Sequence, residues 1–302
     1  MSTTSTGSSS PPSGPPPVPH RPAEVARALA RLRVVPSKQL GQSFLWDPFV
    51  ADAEAALVGS GPGPRVVEIG GGLGLLTEAL LRRGLGPVTV IERDRRLAEG
   101  LVHAFGDSVR VVVGDALDVP LPPADVYVGN LPFSVGTPIL ERLWAEGIPR
   151  FVGMLQREVV DRLVSPPGSR VYGRLTIVAA YFGRVEGFQV VPSSSFHPAP
   201  AVEGRLLSFD RRRELGTLPG LPALERLLDA LFSARRKQLK NLLPRVVRPN
   251  QDPAECASAA GWPDGWAALR PEQLAPEEFF RMAAVLEELP AKGPRPRLAR
   301  QA

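Results

Sequence analysis

The sequence predicts an α/β protein with a mostly parallel sheet, followed by a small all-helical domain. Short runs rich in valine and isoleucine recur in the first two thirds of the chain. Their starts lie roughly twenty residues apart, which leaves room for one helix between successive strands of a parallel sheet. After Arg211 these runs are replaced by apolar residues at the spacing of helix faces. This change along the chain indicates two domains of different class.

The β-branched runs are predicted to be strands. The buried ones are Arg65–Ile69, Val88–Glu92, Val109–Val113, Val126–Asn130 and Phe151–Gln156, and two later candidates are Val185–Val191 and Val202–Phe209. Before them, Asp47 followed by Pro48 is typical of a helix start, because aspartate caps a helix and proline fits its first turn. We expect this helix to run to about Val58. Periodicity leaves Leu175–Phe182 open between a strand and a buried helix.

Two apolar stripes predict helices in the second domain. The first comprises Leu224, Leu227, Leu228, Leu231 and Phe232, and the second comprises Phe279, Ala283, Leu286 and Leu289. Both have the spacing of one helix face. The predicted domains are an α/β domain over residues 36–210 and a helical domain over 211–290. We expect the Ser- and Pro-rich start to about residue 22 to be disordered, assign 1–35 to that tail, and assign 291–302 to a basic tail.

The composition excludes several classes of protein. Cys256 is the only cysteine, so an internal disulfide and a cysteine-cluster metal site are both excluded. The three histidines, His20, His103 and His197, are scattered, and we expect no metal. No apolar run approaches the roughly 18 residues that span a bilayer, and the start lacks a secretory pattern. We therefore expect a soluble, cytoplasmic protein with no membrane partner.

A glycine-rich loop follows the first predicted strand and opens a helix. Gly70, Gly72 and Gly74 form a G-x-G-x-G pattern. Leu75 stands where a dinucleotide-binding loop would have its third glycine. Glycines permit positive φ and let a ligand approach the backbone closely. The pattern disfavours NAD and suits an adenosyl-methionine loop, although a tight turn without ligand is the alternative. Glu92, at the end of the second strand, is placed to accept hydrogen bonds from the ribose hydroxyls of an adenosine ligand.

Asp115 follows the third predicted strand, and it is the expected partner of an adenine amino group. Its alternative role is that of a helix N-cap. The glycine loop, Glu92 and Asp115 stand at the carboxyl ends of successive strands. Because these ends meet at one edge of a parallel sheet, the three together predict an adenosine site more strongly than any one of them.

The tetrapeptide Asn130-Leu131-Pro132-Phe133 ends the fourth predicted strand. The exocyclic amine of adenine is a poor nucleophile, since its lone pair is delocalised into the ring. The Asn130 side-chain oxygen and the Leu131 carbonyl can accept its two N–H bonds and aim its lone pair at a methyl donor. Pro132 fixes the turn, and Phe133 offers a flat face for stacking a flipped base. A strand-end turn without function is the alternative.

These segments resemble the ribosomal RNA adenine dimethyltransferases, and most closely the branch that acts on small-subunit RNA (the KsgA type). The resemblance covers about Pro36 to Leu289. It is carried by the glycine loop, by Asn130–Phe133, and by the segments Lys38–Leu45, Gln156–Val159, Tyr172–Leu175, Phe196–Val202 and Arg235–Asn241. It implies a class I methyltransferase (Rossmann-like) fold, in which Leu175–Phe182 is helical.

The resemblance also implies a cofactor, S-adenosylmethionine, and the residues around it. Gln42, Ser43 and Leu45 would form a lid, while Gly70, Gly72, Glu92, Asp115 and Asn130 would contact the cofactor from the sheet. The flipped adenine would stack between Phe133 and Phe196, although a core aromatic is the plainer interpretation of Phe196. This chain has Ser43 where the family usually has asparagine, Phe133 for tyrosine and Gly71 for proline. The Ser43 change would weaken any cofactor contact made by that side chain, and the Gly71 change should cost some rigidity and little else. The Phe133 change keeps the stacking face and loses only a hydroxyl, so we expect activity to persist.

A basic region follows the α/β domain. Between Arg211 and Arg248 there are ten basic and three acidic residues. We expect this helical region to bind RNA phosphates through a salt-dependent contact, with a solvated helix face as the alternative. The residues assigned to RNA binding are Arg235, Arg236, Lys237 and Lys240.

The resemblance implies that the protein dimethylates two adjacent adenosines near the 3′ end of small-subunit ribosomal RNA, on an immature small subunit and as a monomer. A related alternative is the large-subunit dimethyltransferase that confers macrolide resistance, in which the phenylalanine of the tetrapeptide is common. Tyr172–Leu175 and Arg235–Asn241 favour the small-subunit branch. A third hypothesis is a non-catalytic ribosome-assembly or RNA-binding factor on the same fold, which the intact Asn130, Glu92 and Asp115 disfavour.

Overall fold

The computed structural model describes residues 18–37, 41–212, 218–247 and 251–288. The chain divides into two compact units. The first comprises the residues to Arg157 together with Phe188–Ser208, and the second comprises Glu158–Gly187 and the residues from Phe209 onward. Several predicted features lie outside the described residues, namely the tail before residue 18, the motif residues 38–40, Arg248, Leu289 and the tail 291–302.

The helices and strands follow the predicted alternation closely. In chain order they are α1 (Pro22–Arg31), β1 (Phe44–Leu45), α2 (Pro48–Val58), β2 (Val66–Ile69), α3 (Leu75–Arg82), β3 (Val88–Glu92), α4 (Arg95–Phe105), β4 (Val109–Val113), β5 (Val126–Asn130), α5 (Gly136–Ala145), β6 (Arg150–Gln156), α6 (Arg157–Leu163), α7 (Arg174–Phe182), β7 (Gly183–Val191), β8 (Phe196–His197), β9 (Gly204–Arg211), α8 (Leu221–Phe232), α9 (Pro253–Ala259) and α10 (Pro276–Glu288).

A seven-stranded sheet has the strand order β4-β3-β2-β5-β6-β9-β7. The pairs from β4 to β6 are all parallel. After β2 the chain proceeds outward to β3 and β4 and then returns to the other side of β2 with β5. Ligands of open parallel sheets bind at such a reversal, outside the carboxyl ends of the strands. The reversal therefore places Gly70, which follows β2, beside Asn130, which ends β5.

Local sequence signals account for the ends of several helices. Asp47 caps α2 by accepting a hydrogen bond from the Phe49 backbone N–H, as the Asp-Pro pair predicts. Asp94 caps α4 in the same way. Gly74, in the left-handed region at φ 90°, begins α3. A glycine is required there because other residues rarely adopt this backbone conformation.

The assignment of residues 1–35 to a disordered tail is wrong for its last part. Pro22–Arg31 form α1, in which Val25, Ala28 and Leu29 are buried. Val25 and Leu29 pack in one cluster with Phe44 and Leu97. Their i, i+4 spacing marks an apolar helix face, but the Pro- and Ser-rich residues before it dominated the composition of the segment.

The second unit contains more than the predicted helical domain. The segment Glu158–Gly187 groups with the residues from Phe209 onward, although the sequence placed it in the α/β domain. Leu175–Phe182 lies in α7, as the resemblance implied, and Tyr181 of this helix packs edge to face on Phe280 of α10. Helix–helix packing within this unit explains why the short apolar run is a helix and not a strand.

Candidate active site

A cavity in the first unit opens at the carboxyl ends of β2, β3 and β5. All the residues that the sequence assigned to catalysis and to cofactor binding line it, namely Gln42, Ser43, Leu45, Gly70, Gly72, Glu92, Asp115, Asn130, Leu131, Pro132, Phe133 and Phe196. They come from segments more than a hundred residues apart, and the strand order of the sheet brings them together.

Strand alternation explains why polar groups meet in this cavity. Side chains two apart on a strand share a face, and Val66, Val90 and Val128 all lie in one core cluster. Two residues after each of these valines stands a polar residue on the same face: Glu68 on β2, Glu92 on β3 and Asn130 on β5. The apolar core beneath the sheet therefore ends in a polar rim at the cavity.

The glycine loop brings backbone N–H groups close to Glu92. The Glu92 Oε2 atom accepts a hydrogen bond from the Gly72 backbone N–H at 3.0 Å, and Oε1 accepts one from the Asp94 N–H at 2.9 Å. Burial raises the pKa of Glu92 above its ordinary value, and these hydrogen bonds oppose the rise. The Arg93 backbone N–H acts in the same direction, and with three N–H groups on its roughly four lone-pair sites the carboxylate keeps capacity for a ligand hydroxyl.

The space around the loop differs between two of its glycines. A Cβ atom at Gly70 would meet nothing within 4 Å, so the loop leaves room on that side. At Gly71, where the family usually has proline, a Cβ atom would lie 2.6 Å from the Val90 Cγ1 and 2.8 Å from the Leu101 Cδ1. Val90 and Leu101 thus fill the space that a larger residue in the loop would take.

Asp115 takes part in two contacts within the chain. Its Oδ1 accepts a hydrogen bond from the Leu117 backbone N–H at 2.9 Å, and its Oδ2 lies 3.1 Å from the Arg93 guanidinium. The first contact has the geometry of a local cap, but it holds a turn and not an α-helix. The carboxylate remains in the cavity wall, at the end of the strand next to Glu92.

The tetrapeptide 130–133 is held firmly by backbone contacts. Leu131 donates its N–H to the Met154 carbonyl at 3.2 Å, and Val135 donates to the Pro132 carbonyl at 3.0 Å. The Asn130 Oδ1 atom is buried and has no hydrogen-bond partner among the described residues. A buried acceptor without a partner is costly, and such atoms are often completed by a ligand.

Phe133 and Phe196 meet edge to face, with ring centroids 6.2 Å apart and planes at 62°. Phe196 is brought there by a short antiparallel ladder in which Leu45 of β1 pairs with Phe196 of β8. A base stacked between the two rings requires nearly parallel planes, so at least one ring has to turn to admit it. The sequence did not predict this ladder, because strands of two residues have no detectable periodicity.

Phe44 and Glu68 also line the cavity, although the sequence motifs that contain them predicted no role for either residue. Phe44 lies against the glycine loop, 3.4 Å from the position of a Cβ atom on Gly72. Glu68 is fully buried and accepts a hydrogen bond from the Thr77 hydroxyl at 2.6 Å. The available signal for Glu68 was an acidic residue within an apolar strand, since such residues are almost never fully buried without a partner.

Glu68 makes the stability of the protein depend on pH. Burial, together with the nearby Glu92 charge, raises the pKa of Glu68 from 4.5 to about 7, while the Thr77 hydroxyl lowers it. Between these two pH values the folded state holds a proton that the unfolded state has released. The contribution of protonated Glu68 to the free energy of unfolding is therefore complete below pH 4.5 and is lost as the pH rises to about 7. By linkage, the loss from Glu68 is about 3 kcal/mol.

We expect thermal unfolding to show this dependence. Between pH 5 and pH 8 the melting temperature of the wild-type protein should fall, and in Glu68→Gln the fall should be smaller, because glutamine can accept from Thr77 without ionising. Burial also raises the pKa of Glu54 and of Glu92, so part of the fall in melting temperature with pH should remain in Glu68→Gln. Identical slopes in the two proteins would contradict the role of Glu68.

The residues assigned to RNA binding lie in the second unit, in turns and a short 3₁₀ helix and not in an α-helix. The helix α8 ends at Phe232, and short 3₁₀ turns follow. Arg236, Lys237 and Lys240 are exposed. Arg235 is partly buried and donates to the Arg170 carbonyl at 3.1 Å, so this arginine also holds its own unit together.

Two features of the described residues bear on other classes of protein. They contain no cluster of histidine, cysteine and acidic side chains that could hold a metal ion. None of their helices combines the length and apolar character needed to cross a bilayer.

The fold and the cavity define a class I methyltransferase, with a reversal of strand order beside a glycine loop and an acidic residue at the end of the next strand. The family model of ribosomal RNA adenine dimethylases matches residues 36–255. The chain belongs to that family.

Individual relatives agree with this assignment. The chain is 36% identical to a probable ribosomal RNA small subunit methyltransferase A of Natronomonas pharaonis, over 86% of this chain and 97% of that protein. A dimethyladenosine transferase from Plasmodium falciparum has a similar fold, with a TM-score of 0.69 at 24% identity, covering 79% of this chain and 95% of that one. The 23S rRNA methyltransferase ErmE has a TM-score of 0.63 at 26% identity, covering 80% and 99%.

Proposed function

We propose that the protein uses S-adenosylmethionine to dimethylate the exocyclic amines of two adjacent adenosines near the 3′ end of small-subunit ribosomal RNA. The observation that carries the proposal is the buried Asn130 Oδ1 atom, which has no partner among the described residues and stands in the cavity of a methyltransferase fold. The wider role is maturation of the small ribosomal subunit in the cytoplasm, by a monomer.

The chain's own residues fit the cofactor. The free space beside Gly70 leaves room for a ligand against the loop, and the Glu92 oxygens keep lone pairs for ribose hydroxyls. Asp115 is suited to an adenine amino group, and Gln42, Ser43 and Leu45 would cover the cofactor. When bound, S-adenosylmethionine supplies an electrophilic methyl group on a sulfonium, which is a good leaving group.

The tetrapeptide would prepare the amine. The Asn130 Oδ1 atom and the Leu131 carbonyl would accept the two N–H bonds of the target adenine, so that its lone pair faces the methyl donor. Pro132 fixes the turn, and the two rings of Phe133 and Phe196 would hold the flipped base after one of them turns. Arg235, Arg236, Lys237 and Lys240 would contact RNA phosphates.

The relatives support the small-subunit substrate over the large-subunit alternative. The relative named as a small-subunit methyltransferase is 36% identical over 269 residues, whereas the 23S enzyme ErmE is 26% identical. The resemblance of the segments Tyr172–Leu175 and Arg235–Asn241 favours the same branch.

The proposal is tested by methylation of purified ribosomal particles with tritiated S-adenosylmethionine. We expect incorporation into immature small subunits that lack the modification, and dimethyladenosine at two adjacent positions by mass spectrometry and primer extension. Large subunits from the same cells are the control. Labelling of large-subunit RNA instead would favour the macrolide-resistance alternative, and no labelling of either would favour a binding factor.

A further inference from the structure

Glu54 is an acidic residue in an apolar helix face. On α2 it stands four residues after Val50 and four before Val58, which places the three side chains on one stripe. Val50 and Val58 belong to the core cluster of the first unit, and Glu54 itself is fully buried. Neither of its carboxyl oxygens has a hydrogen-bond partner among the described residues.

The same packing places Glu54 against Asn130. Val128 of β5 lies in the core cluster with Val50 and Val58, and Asn130 is the next residue of β5 on that face of the sheet. The Asn130 side chain lies close enough to the Glu54 carboxyl to oppose part of the rise that burial causes in the pKa of Glu54. The two side chains approach without a hydrogen bond of normal geometry, and both the carboxyl oxygens and the Asn130 Oδ1 are left without partners in the described residues.

An unpartnered carboxyl in this position is unfavourable for folding. Burial and the nearby Glu68 carboxyl raise the pKa of Glu54 well above its ordinary value, because the charged form is poorly solvated there. An aliphatic side chain would continue the stripe of Val50 and Val58 at no such cost. A residue that makes folding less favourable in this way is expected at a functional site, so the buried Glu54 carboxyl points to a role in function.

The Asn130 side chain has to present one particular end of its amide to the target amine. A carboxamide has an accepting end and a donating end, and the torsion that exchanges them is soft. If the Nδ2 end faced the target amine, N–H groups would oppose N–H groups and the amine would not be held. A neighbouring acceptor on the other side of the amide removes this ambiguity.

We propose that Glu54 is a positioning residue for Asn130, whose Nδ2 donates a hydrogen bond to the Glu54 carboxyl so that Oδ1 is presented to the amine of the target adenosine. A small rotation of the Asn130 amide completes the bond. The inference rests on the proposed function, since it assigns Glu54 to the same reaction. It requires no charge on Glu54, because the carbonyl oxygen of a protonated carboxyl also accepts.

The test compares Glu54→Leu, which removes the acceptor, with Glu54→Gln, which keeps an acceptor of similar size. We expect kcat to fall about ten- to a hundredfold in Glu54→Leu, as for a misplaced reacting group, and to stay within about threefold in Glu54→Gln. The KM for the small subunit and the Kd for S-adenosylmethionine, measured by calorimetry, should be unchanged in both. The melting temperature of Glu54→Leu should equal or exceed that of the wild type, so lost stability cannot explain lost activity.

Asp52→Ala is the matched control, because Asp52 lies on the same helix but pairs with Arg82 at the surface. Its kcat should equal that of the wild type. In the Asn130→Ala background, Glu54→Leu should cause no further loss, since the two residues act as one unit. Equal kcat values for Glu54→Leu and wild type would overturn the proposal while leaving the proposed function intact. Full activity of Asn130→Ala would instead overturn the proposed function.

A second readout needs neither activity nor a stable leucine variant. The Asn130 side-chain amide gives a pair of NMR signals that can be assigned by their absence in Asn130→Ala. We expect these signals to shift in Glu54→Gln relative to wild type and not in Asp52→Ala. Unchanged Asn130 amide signals in Glu54→Gln would show that the carboxyl does not touch the amide and would overturn the assignment.

Discussion

Replacing Asn130 with alanine is expected to reduce methyl transfer about a thousandfold, as for the loss of a central electrostatic contact in an active site. Alanine removes the Oδ1 atom that is buried without a partner in the cavity, and no other polar side chain ends β5. The target amine would lose one of its two proposed acceptors and would no longer be aimed at the methyl donor. Initial rates of tritium incorporation into immature small subunits measure this effect.

The variant should otherwise resemble the wild type. The tetrapeptide is held by the Leu131 and Val135 backbone N–H groups, which the substitution does not touch. We therefore expect cofactor affinity by calorimetry to be largely retained and the melting temperature to be close to that of wild type. Undiminished incorporation by Asn130→Ala would show that the catalytic assignment is wrong and would revive the binding-factor hypothesis.

The second large effect is expected on stability, in Gly129→Ala. A Cβ atom at Gly129 would lie 2.4 Å from the Ile69 carbonyl oxygen, a backbone atom of the neighbouring strand β2. Neither strand can move away, because β2 and β5 are both paired on two sides within the sheet. We expect a loss of about 3 kcal/mol, at the upper end for overpacking by one methyl group, and a fall in melting temperature of roughly 6–12 °C.

Gly63→Ala is the matched control for this substitution. A Cβ atom there would meet nothing within 4 Å, and the backbone of Gly63 does not have a positive φ. The same chemical change should therefore alter stability by less than about 0.5 kcal/mol. Denaturation followed by circular dichroism measures both variants under the same conditions. Equal stability of the two would contradict the close approach of β5 to β2.

Much of the fold could be predicted because its signals are local. The five parallel strands from β2 to β6 were predicted within one residue at their ends. Each is an apolar run bounded by turn residues, and β2, β5 and β6 are almost wholly buried, as such runs predict. The prediction that Val109–Val113 is also a buried strand is wrong, because β4 lies at the edge of the sheet and is partly exposed. The predicted family and fold class are confirmed by the match to the ribosomal RNA adenine dimethylases. The site assignments remain predictions, and the cavity supports them by gathering those residues.

The errors have a different origin. The composition of the first 35 residues predicts a tail and hides the short apolar stripe of α1. The burial of that stripe depends on Phe44 and Leu97, which lie outside the helix, and Leu97 is far along the chain. The segment Glu158–Gly187 groups with the second unit through packing that no local pattern encodes. The ladder between β1 and β8 consists of two residues on each strand, too few for any periodicity.

The sequence by itself determined the βα alternation, the glycine loop and the polar residues Glu92 and Asn130 that end β3 and β5 at the cavity, because these depend on residues within one strand or turn. Only the tertiary structure decided which side chains from distant segments contact each other in and around the cavity. The edge-to-face contact of Phe133 with Phe196 and the approach of Glu54 to Asn130 both join segments more than sixty residues apart. Such contacts follow from strand order and from the packing of a helix on a sheet face, and both are properties of the whole folded unit.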